Sequence, residues 1–190
     1  MIVRELRWSD FEPLTETYFH LYEERAAGEA IGISLFAERP SLADEVEWFA
    51  NLYRKSLDRQ WFTTVAEEGG RAIGNCTIQP QAARADSELG HIGVLGVLVD
   101  HRYRGRGAGR AMMLRALEGA RSRFEIVRLS VFADNVRAKE LYRRLGFVPY
   151  GLLPRAIRRG ERYIDEEFMF LDLRPWVPGK HDDSQEPAPG

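Results

Sequence analysis

An apolar run, VLGVLVDH (residues 94–101), is followed at once by RYRGRGAG (102–109) and then by RAMMLRALEGA (110–120). No other stretch of the chain restricts the fold so tightly. A strand that runs into a helix leaves about four backbone N–H groups without intrahelical partners, at the positive end of the helix dipole. Gly105, Gly107 and Gly109 remove Cβ atoms where the backbone would have to curl around an anion, while Arg104 and Arg106 bring charge to it. A tight turn with solvated arginines is the plainer alternative. Three glycines and two arginines in one turn favour the anion site, and a pyrophosphate is its natural guest. The spacing argues against two nucleotide classes, because neither the G-x-G-x-x-G of dinucleotide binders nor a loop ending in Gly-Lys-Ser/Thr is present.

Around this turn the sequence reads as a mixed α/β protein. MIVRELR alternates as a strand, and Ser9-Asp10 precedes a helix marked by Phe11, Leu14, Tyr18, Leu21 and Tyr22. Residues 26–40 have no period and read as a long loop of the kind that often serves function. Ser41 caps a second helix whose apolar stripe is Leu42, Val46, Phe49, Tyr53 and Leu57. WFTTVAEE and RAIGNCTIQ form a hairpin about Gly69-Gly70. A central strand is expected from Glu88 to Val99, with Gly90, Gly93 and Gly96 breaking its pleat. A helix over 107–123, a strand IVRLSVF, a helix over 135–145 and a final hairpin turned at Arg159-Gly160 complete the order. Strict alternation is missing, so a mixed sheet with antiparallel hairpins at both ends is expected, in one domain over 1–173. After Leu173 the four prolines of RPWVPGKHDDSQEPAPG predict a disordered tail over 174–190.

Composition removes further classes. The chain has 190 residues, 27 Lys and Arg against 29 Asp and Glu, and no apolar run near the ~20 residues that span a bilayer. A net charge of −2 disfavours a dedicated nucleic-acid binder. The N-terminus lacks a signal-peptide pattern, so a cytoplasmic protein that engages no membrane is expected. Cys76 has no second cysteine to pair with, and His20, His91, His101 and His181 show no metal-ligand spacing, so no metal is expected.

Two blocks carry a family resemblance. Arg104-x-x-Gly107-x-Gly109 resembles the Q/R-x-x-G-x-G/A motif of the GNAT superfamily of N-acetyltransferases. NVRAKELYRRLGF (135–147) is similar to that superfamily's N-x-x-A-x-x-L-Y-x-x-x-G-F block. The likeness covers about residues 2–173, and the last hairpin looks like that of the members acting on amino acids and small amines. The resemblance implies a mostly antiparallel sheet of about seven strands with about four helices and a splayed or bulged central strand. It also implies acetyl-CoA as cosubstrate and compatibility with a homodimer.

By the same resemblance, Arg104, Gly105, Arg106, Gly107, Ala108 and Gly109 would hold the pyrophosphate. Leu98 and Val99 would pair their backbone with the pantetheine arm, and an amide near Val99 would face the tetrahedral oxyanion. Tyr142 would protonate the departing thiolate; otherwise it is a core aromatic. Asn135 would cap its helix, reach the cofactor, or do both. Glu88 is the expected general base, with His91 next. Glu29 and Glu38 could draw a cationic amine, and Arg155, Arg158 and Arg159 a carboxylate. The reading that results is acetyl transfer to a small amine or amino acid. Acetylation of a protein N-terminus and a non-catalytic acyl-CoA sensor are the alternatives.

Overall fold

The computed structural model describes residues 1–82, 84 and 86–179. Seven strands make one sheet in the order β1-β2-β3-β4-β5-β7-β6. They are β1 (Ile2–Glu5), β2 (Phe62–Glu68), β3 (Arg71–Pro80), β4 (Ile92–Val99), β5 (Ile126–Phe132), β6 (Val148–Arg159) and β7 (Arg162–Asp172). Only β4 and β5 run parallel. Four α-helices flank them: α1 (Phe11–Ala26), α2 (Leu42–Leu57), α3 (Ala108–Ala120) and α4 (Val136–Arg144).

The alternation of β2 shows how the layers separate. Val65 points to a cluster with Leu14, Phe49 and Leu52 from α1 and α2. Its neighbour Ala66 points to the opposite face, where Met112, Ala116 and Leu117 of α3 fill the larger core. Both glycines of the β2–β3 turn, Gly69 and Gly70, have positive φ (59° and 79°), the geometry a two-residue hairpin needs.

Two expectations are corrected. The central strand starts at Ile92, not Glu88, because Ser87 to Gly90 fold into a turn in which the Gly90 N–H donates to the Ser87 carbonyl (2.8 Å). On α2 the buried face is Glu45, Phe49 and Leu52, whereas Leu42 and Leu57 are more than 60% exposed. Ser41 caps this helix as expected, its Oγ accepting from the Asp44 N–H at 3.2 Å. Past Leu173 the described residues run to Gly179. Trp176 is buried, and its Nε1 donates to the Leu145 carbonyl at 2.9 Å, so one indole docks a segment whose prolines suggested looseness. His181 and the rest of 180–190 lie outside the described residues.

Candidate functional site

Strand β4 organises the site by parting from β5. On one side it pairs with β3 from Gly93 to Val99. On the other it pairs with β5 at Ile92, Gly93 and Val94 only. From Leu95 to Val99 that second edge faces no strand, which is the splay expected of the central strand. Two cavities meet there: one of about 790 Å³ and one of about 1040 Å³, both lined by Ile33, Val97 and Leu98.

The smaller cavity is bounded by the glycine turn and α4. Val99, Arg104, Gly105, Gly107, Ala108 and Gly109 line it, as do Asn135 and Tyr142. Gly107 is the N-cap of α3 with φ 85°, a left-handed conformation that a side chain would strain, and a Cβ there would enter open space. Gly105 has the same φ, and a Cβ on it would overlap the Arg137 guanidinium. Backbone donors at the start of α3 and the Arg137 side chain therefore border one concave surface suited to an anion.

Arg104 lines this cavity and is also engaged within the protein. Its guanidinium makes two hydrogen bonds to buried Glu24 of α1 (2.6 and 2.9 Å), and its Nε donates to the Val99 carbonyl (3.1 Å). It staples α1 to the turn. Arg106 is largely exposed, lies over the Tyr103 ring at 5.3 Å and does not line the cavity.

Beside Glu24, the fold brings His20 to the adjacent pair Asp100 and His101, with potential ligand atoms within 4.8 Å of one another. Asp100 is already committed to Arg102, accepting from its N–H (2.9 Å), Nε (3.0 Å) and Nη2 (2.6 Å). Burial would raise the Asp100 pKa, but these bonds prevail and hold it at about 2.

On α4, Asn135 accepts from the Ala138 N–H at 3.2 Å and so caps the helix. Its amide also abuts Gly32, where a Cβ would overlap it, so the 27–41 loop closes against the helix start. Tyr142 is 8% exposed, and burial, with Cys76 nearby, pushes its phenol up to about 12. It stays protonated through the neutral range. Cys76 is fully buried on β3, and burial raises its thiol pKa as well.

The larger cavity lies between α1, α2 and the 27–41 loop on one side and β3 and β4 on the other. Tyr18, Phe36, Trp48 and Trp61 give it aromatic walls, and Glu38, Arg39, Asp44 and Glu45 are its charged lining. The loop between the cavities is held at its carbonyls. Arg25 donates to Phe36 and Ala37 (both 2.8 Å), and Arg159 donates to Ile31 (3.4 Å) and Ile33 (3.3 Å).

Several expected residues lie elsewhere. Glu88 sits exposed in the turn before β4, and neither it nor His91 lines either cavity. Glu29, Arg155 and Arg158 line neither, and Arg159 is occupied by the loop. Glu45, Arg137 and Ile33 were not anticipated. For Glu45 a signal existed, since it stands four residues before Phe49 on the same helix face.

The model of the Acetyltransferase (GNAT) family matches residues 3–147. The chain belongs to the GNAT acetyltransferase family. Among curated relatives of this GNAT protein is the L-amino acid N-acetyltransferase AaaT of Escherichia coli (strain K12), 33% identical over 103 residues, which are 53% of this chain and 61% of the relative. Mycothiol acetyltransferase of Thermobispora bispora is 33% identical over 125 residues, 62% of this chain and 41% of that protein. The chain thus spans less than two thirds of the length of both. Among solved structures, the same fold occurs in ribosomal-protein-alanine N-acetyltransferase from Brucella melitensis (TM-score 0.76, 23% identity, 90% of this chain and 99% of that one). It occurs too in yncA of Salmonella typhimurium, solved with its cofactor acetyl-CoA (TM-score 0.76, 20% identity, 100% and 98%). Among the described residues of this GNAT chain, no helix is long and apolar enough to cross a membrane.

Proposed function

We propose that this chain transfers the acetyl group of acetyl-CoA to a primary amine of a small molecule or amino acid. One observation carries the reading: the free edge of β4 leads straight into a glycine turn that opens α3, and a second cavity joins the first at Val97 and Leu98. A long ligand with an anionic middle fits the smaller cavity. Gly105, Gly107, Ala108 and Gly109 hold the pyrophosphate with main-chain donors, and the β4 backbone at Leu98 and Val99 pairs with the amide-bearing arm, as an added strand would. Acetyl-CoA supplies an activated acyl group as a thioester. The larger cavity presents the amine.

The nitrogen lone pair attacks the carbonyl carbon, the C–N bond forms, and the C–S bond breaks. Tyr142 lines the cavity beside Val97 to Val99 and donates its proton, or a strong hydrogen bond, toward the leaving sulfur. A phenol at about 12 gives up its proton uphill to a thiolate near ~8.5, so the proton shed by the amine nitrogen must replace it as it leaves. Asn135 keeps α4 in register with the turn.

The names of the curated relatives support an amino acid or amine acceptor. For a homodimer, the edge strand β6 is the proposed contact, since Val148, Tyr150, Leu152 and Leu153 are about half exposed on it. Sedimentation of a Leu152→Lys variant tests that contact, and an unchanged dimer discards it. The activity itself is tested by calorimetry with acetyl-CoA and by thiol release on adding an amine and peptide panel. Saturable heat with thiol release from small amines is expected. Release from peptides alone would move the assignment to protein N-termini, and absence of heat would end it.

A further inference from the structure

The larger cavity contains a buried carboxylate for which the reaction above has no task. Glu45 is 6% exposed and lines the cavity from α2. Its backbone N–H is spent on the Ser41 carbonyl at 3.2 Å. Among the described residues its side chain has no hydrogen bond or ion pair. The cavity's other acids differ. Asp44 accepts from the Ser41 N–H (2.9 Å) and Oγ (2.7 Å), and Glu38 is exposed.

Among the described residues no cation pairs with Glu45. Arg39 lies over the Phe19 ring at 4.5 Å, and Arg25 is spent on loop carbonyls. The groups whose charges bear on Glu45 are Asp44 on its own helix and the Tyr18 hydroxyl of α1. Tyr18 is bonded to Tyr22 at 3.3 Å and carries no positive charge. Burial, then Asp44, raises the Glu45 pKa. Its oxygens are not sealed from solvent, but a mostly buried carboxylate with no cation is costly to the fold, and a cation arriving through the cavity lowers that cost. The walls around it are apolar: Leu14, Leu52, Trp48, Trp61 and Leu95.

We propose that Glu45 anchors the acceptor, its carboxylate receiving the ammonium of an amine whose body is an apolar group large enough to pack on Trp48 and Trp61; the ammonium loses one proton to solvent before its nitrogen attacks. The inference rests on the acetyl-transfer reading and narrows it. It excludes small polar amines as good acceptors, since they would leave the aromatic walls uncovered. It also explains why a buried charge stands on the face of α2 that otherwise packs into the core.

The test compares the wild type with Glu45→Gln, using 2-phenylethylamine and L-phenylalanine as apolar acceptors and ethanolamine and L-serine as polar ones. The wild type should favour the apolar probes at least tenfold in kcat/KM. Glu45→Gln should raise KM for 2-phenylethylamine at least tenfold, leave acetyl-CoA affinity within twofold, and raise Tm in the free protein, because an uncompensated charge is gone. A residue with only a structural role would lower Tm and leave KM unchanged, and that pattern overturns the proposal. So does equal use of polar and apolar amines. Should Glu45→Gln fail to fold, Glu45→Asp keeps the charge but withdraws it, and an unmoved KM in that variant refutes the anchor. Loss of acetyl-CoA binding in the wild type would bring down the parent reading, whereas binding and transfer without the apolar preference would bring down this one alone.

Discussion

The two cavities share Val97 and Leu98 but are built from different materials. The smaller has a main-chain wall, made of the unpaired edge of β4, the turn through Gly105 and Gly107 and the first residues of α3, facing side chains of α4 such as Arg137 and Tyr142. The larger is bordered by side chains, four of them aromatic, with one buried carboxylate. Under the proposed function, main chain would recognise what every substrate pair has in common, a fixed cosubstrate with a pyrophosphate, and side chains what varies. A substitution in the first region should therefore act on cosubstrate binding, and one in the second on the choice of amine.

The largest expected effect lies at the one side chain of the smaller cavity proposed to take part in the chemistry. Tyr142→Phe should lower kcat roughly 10²–10³-fold with acetyl-CoA affinity unchanged. Equal kcat in steady-state assays would remove the acid from the mechanism. Next, Gly107→Val forces a branched residue into a left-handed backbone, at a cost of roughly 1–2 kcal/mol, and places its side chain in the anion's space. Acetyl-CoA affinity should fall at least tenfold by calorimetry. An affinity within threefold of wild type would break the contrast between main-chain and side-chain recognition.

Stability effects are smaller in consequence. Arg104→Ala leaves Glu24 buried without its cation, which should cost about 3 kcal/mol and lower Tm by roughly 6–12 °C. Adding Glu24→Gln should recover most of the loss. The smallest effect is read through pH. Asp100 is held at about 2 in the fold against ~3.9 unfolded, so its contribution is full above about pH 4 and is lost as pH falls through 2. Denaturation of Asp100→Asn should show a deficit at pH 7 that shrinks between pH 4 and pH 2. A constant deficit would assign Asp100 no part in the pH dependence.

The same contrast decides what could be read from the chain. Main-chain recognition needs glycines at fixed places, so the turn at 105–109 and the strand before it are visible as a local pattern. The block from Asn135 to Phe147 is equally local, because its residues share one short helix. The acceptor cavity has no such trace. Tyr18, Phe36, Glu45, Trp61 and Leu98 come from five segments and meet only after the sheet forms. The stripe read on α2 followed hydrophobicity and passed over Glu45, since a buried carboxylate resembles a surface one in sequence. Glu88 was misplaced because Ser87 and Gly90 end the extended run early. The bond from Arg104 to Glu24 has no local trace, since the two lie 80 residues apart.

The tryptophans fall on opposite sides of this division. The chain has four: Trp48 and Trp61 stand in the larger cavity, Trp8 lies exposed, and the buried Trp176 bonds the Leu145 carbonyl. None borders the smaller cavity. The protein therefore carries its own optical probe: arrival of an acceptor should shift the emission of two indoles in direct contact with it, and occupancy of the neighbouring groove can be followed as the dark channel.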